Sequence, residues 1–474
     1  MATKRSFWER HSLRVPSDGR TRAAELTLRQ SIYPLCLVTV LFFLWGFSYG
    51  LLDTLNKHFQ NTLNISKARS SGLQAAYFGA YPLASLGHAA WILRHFGYRA
   101  VFIWGLFLYG LGALLAIPAI IYHSFGAFCA CIFIIGNGLG SLETAANPYL
   151  TVCGPPHLSE IRINIAQAFN AIGTVVAPVL GSYVFFVFDE EVALKNVQWV
   201  YMAIACFVFI LAIIFYLSDI PEITDADMEL QASQTHGTGD NKPLRKQYRL
   251  FHATFAQFCY TGAQVAIAGY FINYLTETRP STSSSLASKF LAGAQAAFAL
   301  GRFFGTGLMS PGLLRPRKVL LAFMTLCIVF TAPAITQRDN TGMSLLYVTF
   351  FFESICFPTI VALGMRGLGR HTKRGSGFII GGVVGGAVAP ALMGLAADAR
   401  GTAFAMVVPL GFFVAAWSYP LAVNVFSYYK DAADAFVTAP GVGDGDDGAV
   451  GGSGGSDEEK GGVVTERRAE KAAG

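Results

Sequence analysis

The sequence predicts an all-α integral membrane protein of twelve spanning helices in two six-helix bundles, with both termini cytoplasmic. Three observations lead there. First, the 474 residues are 53% hydrophobic and only 14% charged, with a mean hydropathy of +0.46. A soluble domain carries about 25% charged residues, so most of this surface faces lipid. Second, apolar stretches of roughly 20 residues recur, each long enough to cross about 30 Å of hydrocarbon. Third, motifs in one half of the chain return in the other. Long strands of alternating polarity are absent, which argues against a barrel. The 50 glycines and 39 phenylalanines suit helices that pack closely and turn bulky groups to lipid.

Taken in order, residues 1–31 form a polar, basic arm with Lys4, Arg5, Arg10, Arg14, Arg20, Arg22 and Arg29. The arm has neither a short apolar core nor a small-residue cleavage site, so the first span is expected to serve as an uncleaved anchor. The first bundle, 32–218, holds expected spans at 32–59, 70–93, 99–121, 125–150, 160–188 and 196–218. A polar stretch at 219–247, rich in Asp, Gln, Thr and Lys, reads as a cytoplasmic linker. The second bundle, 248–429, holds spans at 248–276, 286–310, 317–337, 342–366, 373–397 and 402–429. The tail, 430–474, turns Gly/Asp/Ser/Glu-rich and is expected to be disordered.

Charge placement orients the chain. Basic residues cluster in the arm, at Arg94 and Arg99, in the linker, at Arg315 to Lys318, and at Arg366 to Arg374. The intervening loops are poorer in them, which puts both termini on the cytoplasmic side and requires an even number of spans. Each cluster abuts an apolar span, so nucleic acid is not the expected partner. The loop after the first span carries Asn64-Ile65-Ser66, an N-glycosylation acceptor if that loop faces away from the cytoplasm.

Several classes are excluded. There is no phosphate-cradling Gly-x4-Gly-Lys-Ser/Thr loop, so ATP-driven pumping is not expected. The eight cysteines are scattered through spans like small buried hydrophobes, and the nine histidines are dispersed near loops. No nucleophile–base pair or metal cluster emerges, and the chain does not read as an enzyme.

The internal echo is specific. Glu143-Thr144-Ala145-Ala146-Asn147-Pro148 in the fourth span mirrors Glu353-Ser354-Ile355-Cys356-Phe357-Pro358 in the tenth. Gly173-Thr174-Val175-Val176-Ala177-Pro178 in the fifth mirrors Gly385-Gly386-Ala387-Val388-Ala389-Pro390 in the eleventh. Two parallel copies of a six-helix unit are the plan of the major facilitator fold.

Buried polar residues mark the candidate site. A carboxylate at mid-bilayer depth costs roughly 3 kcal/mol on the insertion scale, and chains that keep one usually turn it into a cavity. Asp53 in the first span and Glu143 in the fourth are such groups, and both are candidate proton-coupling residues. A desolvated aspartate binds and releases protons in an accessible pH range. The structural alternative for Asp53 is a permanent ion pair with Arg302 or Lys57. Glu143 and Asn147 lie four apart on one helix face and could grip hydroxyls, or could bond only to a neighbouring helix. Gln167 and Asn170, with Asn164 a turn earlier, form an amide stripe that must face inward; Asn164 reads as structural. Gln264 could reach a substrate from the second half. Arg302 shares a face with Gln295 and reads as a structural or gating cation. Glu353 fits a cap, a gate partner or an extra acid.

These stretches resemble the fucose/galactose/glucose:proton symporter branch of the major facilitator superfamily. The blocks that carry the resemblance are Phe42 to Asp53, Leu142 to Tyr149, Ala166 to Asn170, Ala177-Pro178, Gly301-Arg302-Phe303 and Phe357-Pro358-Thr359-Ile360. The resemblance implies that Asp53 handles the coupling proton, that Glu143 helps to bind sugar, and that Gln167 and Asn170 lie near it. The chain also departs from the branch. Leu52 stands where Asn is common, Gly50 lacks an amide, Phe357 follows the glucose/galactose members, and Glu353 is unusual, so the cavity is acidic in a different way.

The expectation is a proton-coupled importer of a monosaccharide, hexose or deoxyhexose, working by alternating access as a monomer in the plasma membrane and driven by the proton gradient without a bound cofactor. The alternatives are a proton-driven exporter of an amphipathic product, and a sugar sensor that does not transport.

Overall fold

The computed structural model describes residues 26–154, 159–184, 190–224, 243–309, 313–366, 368 and 371–434. Within them the protein is helical throughout. The first group comprises α1 (Leu28–Thr62), the short α2 (Lys67–Ser70), α3 (Gly72–Gly79), a π-turn over Leu83–His88, α4 (Ala89–Ile121), α5 (Phe125–Val152), α6 (Ser159–Val184) and α7 (Glu190–Leu217). The second comprises α8 (Tyr248–Thr278), α9 (Ser284–Leu308), α10 (Pro316–Ala334), α11 (Asp339–Glu353), α12 (Cys356–Met365), α13 (Thr372–Gly381), α14 (Gly385–Arg400), α15 (Thr402–Ala405), α16 (Val407–Val425) and α17 (Ser427–Asp434).

Nine helical stretches among the described residues are long and apolar enough to cross a membrane. One of them, Lys67–Ile121, runs for 55 residues, longer than a single crossing needs. It bends at the π-turn and again at Gly97, whose φ of 84° is a conformation open to glycine at little cost. Helices α8 and α9 are as long as spans but are not among the nine. Their buried polar residues, Gln257, Asn273, Gln295 and Arg302 among them, face other helices instead of lipid.

Local chemistry sets the helix starts. Thr27 and Gln30 form a reciprocal capping box on α1, and Ser66, Ser124 and Ser283 cap α2, α5 and α9. Within the first group α1 packs on α6 and α4 on α5 and α7; within the second α8 packs on α14 and α16. Small residues permit the closest crossings. A Cβ on Gly46 would strike the Asn170 carbonyl, and one on Gly173 would strike that of Phe43.

The two echo motifs differ in shape. Pro148 lies inside the continuous α5, whereas its counterpart Pro358 follows a break between α11 and α12 at Ser354–Ile355. A proline has no N–H for the carbonyl four residues back, so Pro358 leaves the Ser354 carbonyl without its helical donor. At the other end of the chain, helix α17 continues to Asp434, past residue 430 where the tail was expected to begin.

Candidate functional site

A cavity lies between the two groups of helices, lined by residues of both. One part of its wall is polar, formed by Asn170 and Thr174 of α6, Thr261 and Gln264 of α8, and Gln295 and Arg302 of α9. The other is aromatic, formed by Trp45 and Tyr49 of α1, Phe78, Phe298 and Phe357. Trp45 and Phe357 meet across the groups with ring centroids 5.5 Å apart. The amides of Gln264 and Gln295 carry no hydrogen bond to the protein, which leaves donors and acceptors open to a polar solute.

Arg302 organises the polar wall. Its Nε donates to the Ser354 carbonyl at 3.1 Å, the acceptor that Pro358 vacates. One terminal nitrogen donates to the Gln167 carbonyl and Oε1, both at 2.8 Å, and to Asn170 Oδ1 at 3.3 Å. The guanidinium also stacks 4.7 Å from the Phe298 centroid. No carboxylate pairs with it; neutral oxygens from both groups of helices solvate the buried cation. The amide stripe on α6 is therefore occupied: Gln167 and Asn170 hold Arg302, and Asn170 Nδ2 donates to the Phe42 carbonyl at 3.2 Å. The side chain of Asn164 falls outside the described residues.

Asp53 lies deep in the contact between α1 and α8 with 1% of its surface exposed. Neither of its oxygens has a hydrogen-bond partner, so no ion pair with Arg302 or Lys57 exists here. Around it, Tyr49 Oη and both ends of the Gln74 amide are likewise buried and unpartnered. A Cβ added to Gly269 would approach both Gln74 Nε2, at 2.8 Å, and Asp53 Oδ1, at 3.6 Å. Nearby, Asn56 Nδ2 donates to the Gly269 carbonyl at 2.8 Å.

Glu143 and Asn147 do not reach the main cavity. Asn147 turns its amide back to the Glu143 carbonyl at 3.2 Å. Glu143 borders a smaller, apolar cavity with Leu41, Phe42 and Trp45, and neither carboxylate oxygen is hydrogen-bonded. Tyr81 bears on this carboxylate and accepts from Trp45 Nε1 at 2.9 Å, so Trp45 and Tyr81 stand between Glu143 and the main cavity. Glu353 ends α11, buried, with Oε2 unpartnered, while its carbonyl accepts from Tyr260 Oη at 2.7 Å.

Contacts join the two groups of helices at both ends. At one end Lys67 Nζ meets Glu277 Oε1 at 2.6 Å. The Asp398 carboxylate there accepts from the backbone nitrogens of Lys67 and Ala68 at 3.1 and 2.9 Å. Glu277 also holds the N–H and hydroxyl of Thr402, both at 2.8 Å. At the other end Glu222 braces the first group, accepting from the backbone nitrogens of Tyr98 and Arg99 at 2.7 and 3.1 Å, and the contact that crosses to the second group is made by Lys373. Lys373 of α13 donates to the Ile223 carbonyl at 3.3 Å and sits over the Tyr98 ring. Burial pushes the Glu222 carboxyl above its ordinary value, against the opposing pull of the Tyr98 and Arg99 amides and the charges of Arg99 and Lys373.

Reasoning from sequence missed these latches, along with Gln74 and Tyr49. Lys67, Glu277 and Asp398 flank apolar spans, where charges read as solvated, and nothing in their spacing signals pairing across 210 residues or more. Asn64 lies exposed beside the Lys67 latch, with Ser66 of the same triplet capping α2 through its hydroxyl. No group of three metal-binding side chains exists among the described residues.

A family model for the Major Facilitator Superfamily matches residues 38–390. The L-fucose-proton symporter of Escherichia coli (strain K12) is 34% identical over 392 residues, covering 79% of this chain and 89% of that protein. The glucose/galactose transporter of Brucella abortus (strain 2308) is 31% identical over 404 residues, covering 84% and 95%. Among solved structures, the transporter FucP in the outward conformation superposes with a TM-score of 0.66 at 31% identity, covering 82% of this chain and 98% of that one. A cavity with one polar wall between two helical groups and these likenesses agree: the chain is a transporter, not an enzyme, and belongs to the major facilitator superfamily, in the branch that holds the fucose-proton symporters and glucose/galactose transporters.

Proposed function

We propose that the protein imports a monosaccharide, a hexose or deoxyhexose, together with protons, by alternating access across the plasma membrane. One observation carries this reading: a cavity between the two helical groups, with unpaired amides on its wall, lies near a buried carboxyl group that no described donor satisfies. Sugar hydroxyls need convergent donors and acceptors, which the open amides of Gln264 and Gln295 supply, with the remaining N–H groups of Arg302 and Asn170 beside them. Gln167 acts through Arg302, which joins the two bundles at mid-depth. Asp53 takes the coupling proton while its end is open, because closing the site over an ionised carboxylate would strand a charge without a partner. Glu143 and Asn147 join the site when Trp45 and Tyr81 move aside. The names of the relatives, an L-fucose-proton symporter and a glucose/galactose transporter, support the substrate class.

The architecture that goes with this reading has twelve spans and cytoplasmic termini. Its bundles are 32–218 and 248–429, joined by the linker at 219–247, with the arm at 1–31 and the tail from 430 on the same side. The Glu222 latch then faces the cytoplasm and the Lys67 latch faces outward, with Asn64 placed for glycosylation. The carrier works as a monomer in the lipid bilayer, and the proton gradient supplies the energy without a bound cofactor. The aromatic wall of the cavity would also suit an exporter of amphipathic products.

The test is uptake of labelled L-fucose, D-galactose and D-glucose into proteoliposomes under an imposed pH gradient. Accumulation of at least one sugar that collapses with the gradient supports the reading, and Asp53→Asn should abolish accumulation while leaving exchange of sugar for sugar. If none of the three moves while a lipophilic cation is expelled, the exporter alternative replaces it.

A further inference from the structure

Glu353 has no role in the transport cycle as described so far. It sits at the last residue of α11, one residue ahead of the break that Pro358 imposes, with 1% of its surface exposed. Its surroundings come from several elements. Tyr49 and Asp53 of α1, Tyr260 of α8, Arg302 of α9, Cys327 of α10 and Cys356 of α12 are the titratable or charged groups within electrostatic reach. One of these is a cation, and the hydrogen bonds it makes go to Ser354, Gln167 and Asn170, not to the Glu353 carboxylate. An ionised carboxylate accepts only, and wants donors on both oxygens. Glu353 Oε2 has none, just as Asp53 has none on either oxygen.

We propose that Glu353 is a second proton-binding site, the counterpart in the second helical bundle of Asp53 in the first. The inference deepens the symport reading and rests on it for its transport consequence. Among the described residues the interior holds three carboxyl groups, Asp53, Glu143 and Glu353, around Arg302. Arg302 is the cation nearest Glu353, yet it gives that carboxylate no hydrogen bond and leaves Oε2 bare, so a charge on Glu353 would lack the donors that a buried ion needs. Asp53 and Glu353 reach each other electrostatically across the bundle interface, and both act on the unpartnered hydroxyl of Tyr49 between them. Two like charges sharing such a site cannot both persist, which accounts for one proton; the bare oxygens of both groups call for a proton on each before closure. The step is acid–base only. An O–H bond forms on a Glu353 oxygen with a proton from water on the open side, and breaks to water on the opposite side once that end opens. Carrying a proton on each bundle removes the cost of two unpaired acids from the closed state and raises the number of protons moved per sugar by one.

The experiment uses the full-length protein in liposomes. Infrared spectroscopy across a pH titration reads the carbonyl stretch of protonated, buried carboxyl groups without any sugar present. The wild type should show such bands at neutral pH, Glu353→Gln should remove one component, Asp53→Asn another, and Glu353→Asp should shift the first without abolishing it. The last variant keeps the test alive if the glutamine protein does not fold. A band pattern in Glu353→Gln identical to wild type at every pH means that Glu353 is ionised throughout and overturns the proposal. In the transport arm, the sugar gradient that balances a fixed pH gradient gives the proton-to-sugar ratio, with L-fucose and D-galactose as probes. The ratio should fall by one in Glu353→Gln, and an unchanged ratio overturns the proposal. If neither probe moves in the wild type, the symport reading fails while the infrared arm still decides the protonation of Glu353.

Discussion

At the scale of single residues, the site is governed by which polar atoms have partners. Arg302 is held by four neutral oxygens and a ring, and only a planar fork can span them. Lysine at this position keeps the charge and loses the geometry. Arg302→Lys should therefore lower sugar accumulation about tenfold or more, a loss of about 1.4 kcal/mol, while thermal unfolding shows the fold intact; unchanged accumulation would remove Arg302 from the site. Glu222 offers a pH test. Burial raises its carboxyl above the ordinary value, so the folded protein binds its proton more tightly than an unfolded chain does. Its contribution to stability is complete below the ordinary value near 4.5 and is lost as pH rises through the raised one. The unfolding midpoint measured against pH should fall across that window in the wild type and fall less in Glu222→Gln. An identical slope in both proteins would show that Glu222 does not set it. Asp53, Glu143 and the amide stripe were legible from sequence because a polar group in an apolar run is costly and visible. The partners were not. That Gln167 and Asn170 hold Arg302, instead of standing free, depends on a contact across 132 to 135 residues, which no local spacing encodes.

At the scale of elements, the all-helical class follows from apolar run lengths, and nine stretches among the described residues are long and apolar enough to span, but the breaks within them follow from hydrogen-bond accounting. The same Glu-x4-Pro motif runs straight in α5 and breaks between α11 and α12. The second copy differs because Arg302 takes up the carbonyl that Pro358 leaves and Tyr260 takes that of Glu353. Sequence shows the two prolines, and only packing shows which one is exploited. An alanine at 358 would supply an N–H to Ser354 and compete with Arg302 for its carbonyl. Pro358→Ala is thus expected to hold stability or raise it by about 1 kcal/mol, with transport slowed severalfold. A variant both less stable and fully active would contradict the account. Close helix crossings give the opposite sign. A Cβ on Gly301 would strike the Phe351 carbonyl between α9 and α11, and backbone cannot swing away as a side chain can. Gly301→Ala should cost about 1–3 kcal/mol in unfolding experiments.

At the scale of the whole molecule, a carrier that alternates must keep its two closures near balance, since a bias of about 1.4 kcal/mol already shifts populations tenfold. The Lys67 end is closed by three linked contacts: the Lys67–Glu277 pair, the grip of Glu277 on Thr402, and the Asp398 carboxylate across the first two amides of α2. The pair alone is partly exposed and contributes about 1 kcal/mol or less. Asp398 does more, because it satisfies two backbone donors that a helix start otherwise leaves to water, with a negative charge at the positive end of the helix. Replacing it by asparagine keeps the shape, removes the charge and leaves a single acceptor. Closure at this end then weakens relative to the Glu222 end, whose contacts are untouched. Spin labels introduced at Asn61 and Arg400 would report the separation of the bundles at the Lys67 end directly. Asp398→Asn should enlarge the long-distance population by about threefold to tenfold, and Lys67→Ala by less. Because the Asp398 contact is a charge on exposed backbone, high salt should move the wild-type distribution the same way and move the Asp398→Asn distribution little. Equal distributions in all three proteins would mean that closure at this end is set by packing of α14 on α3 alone.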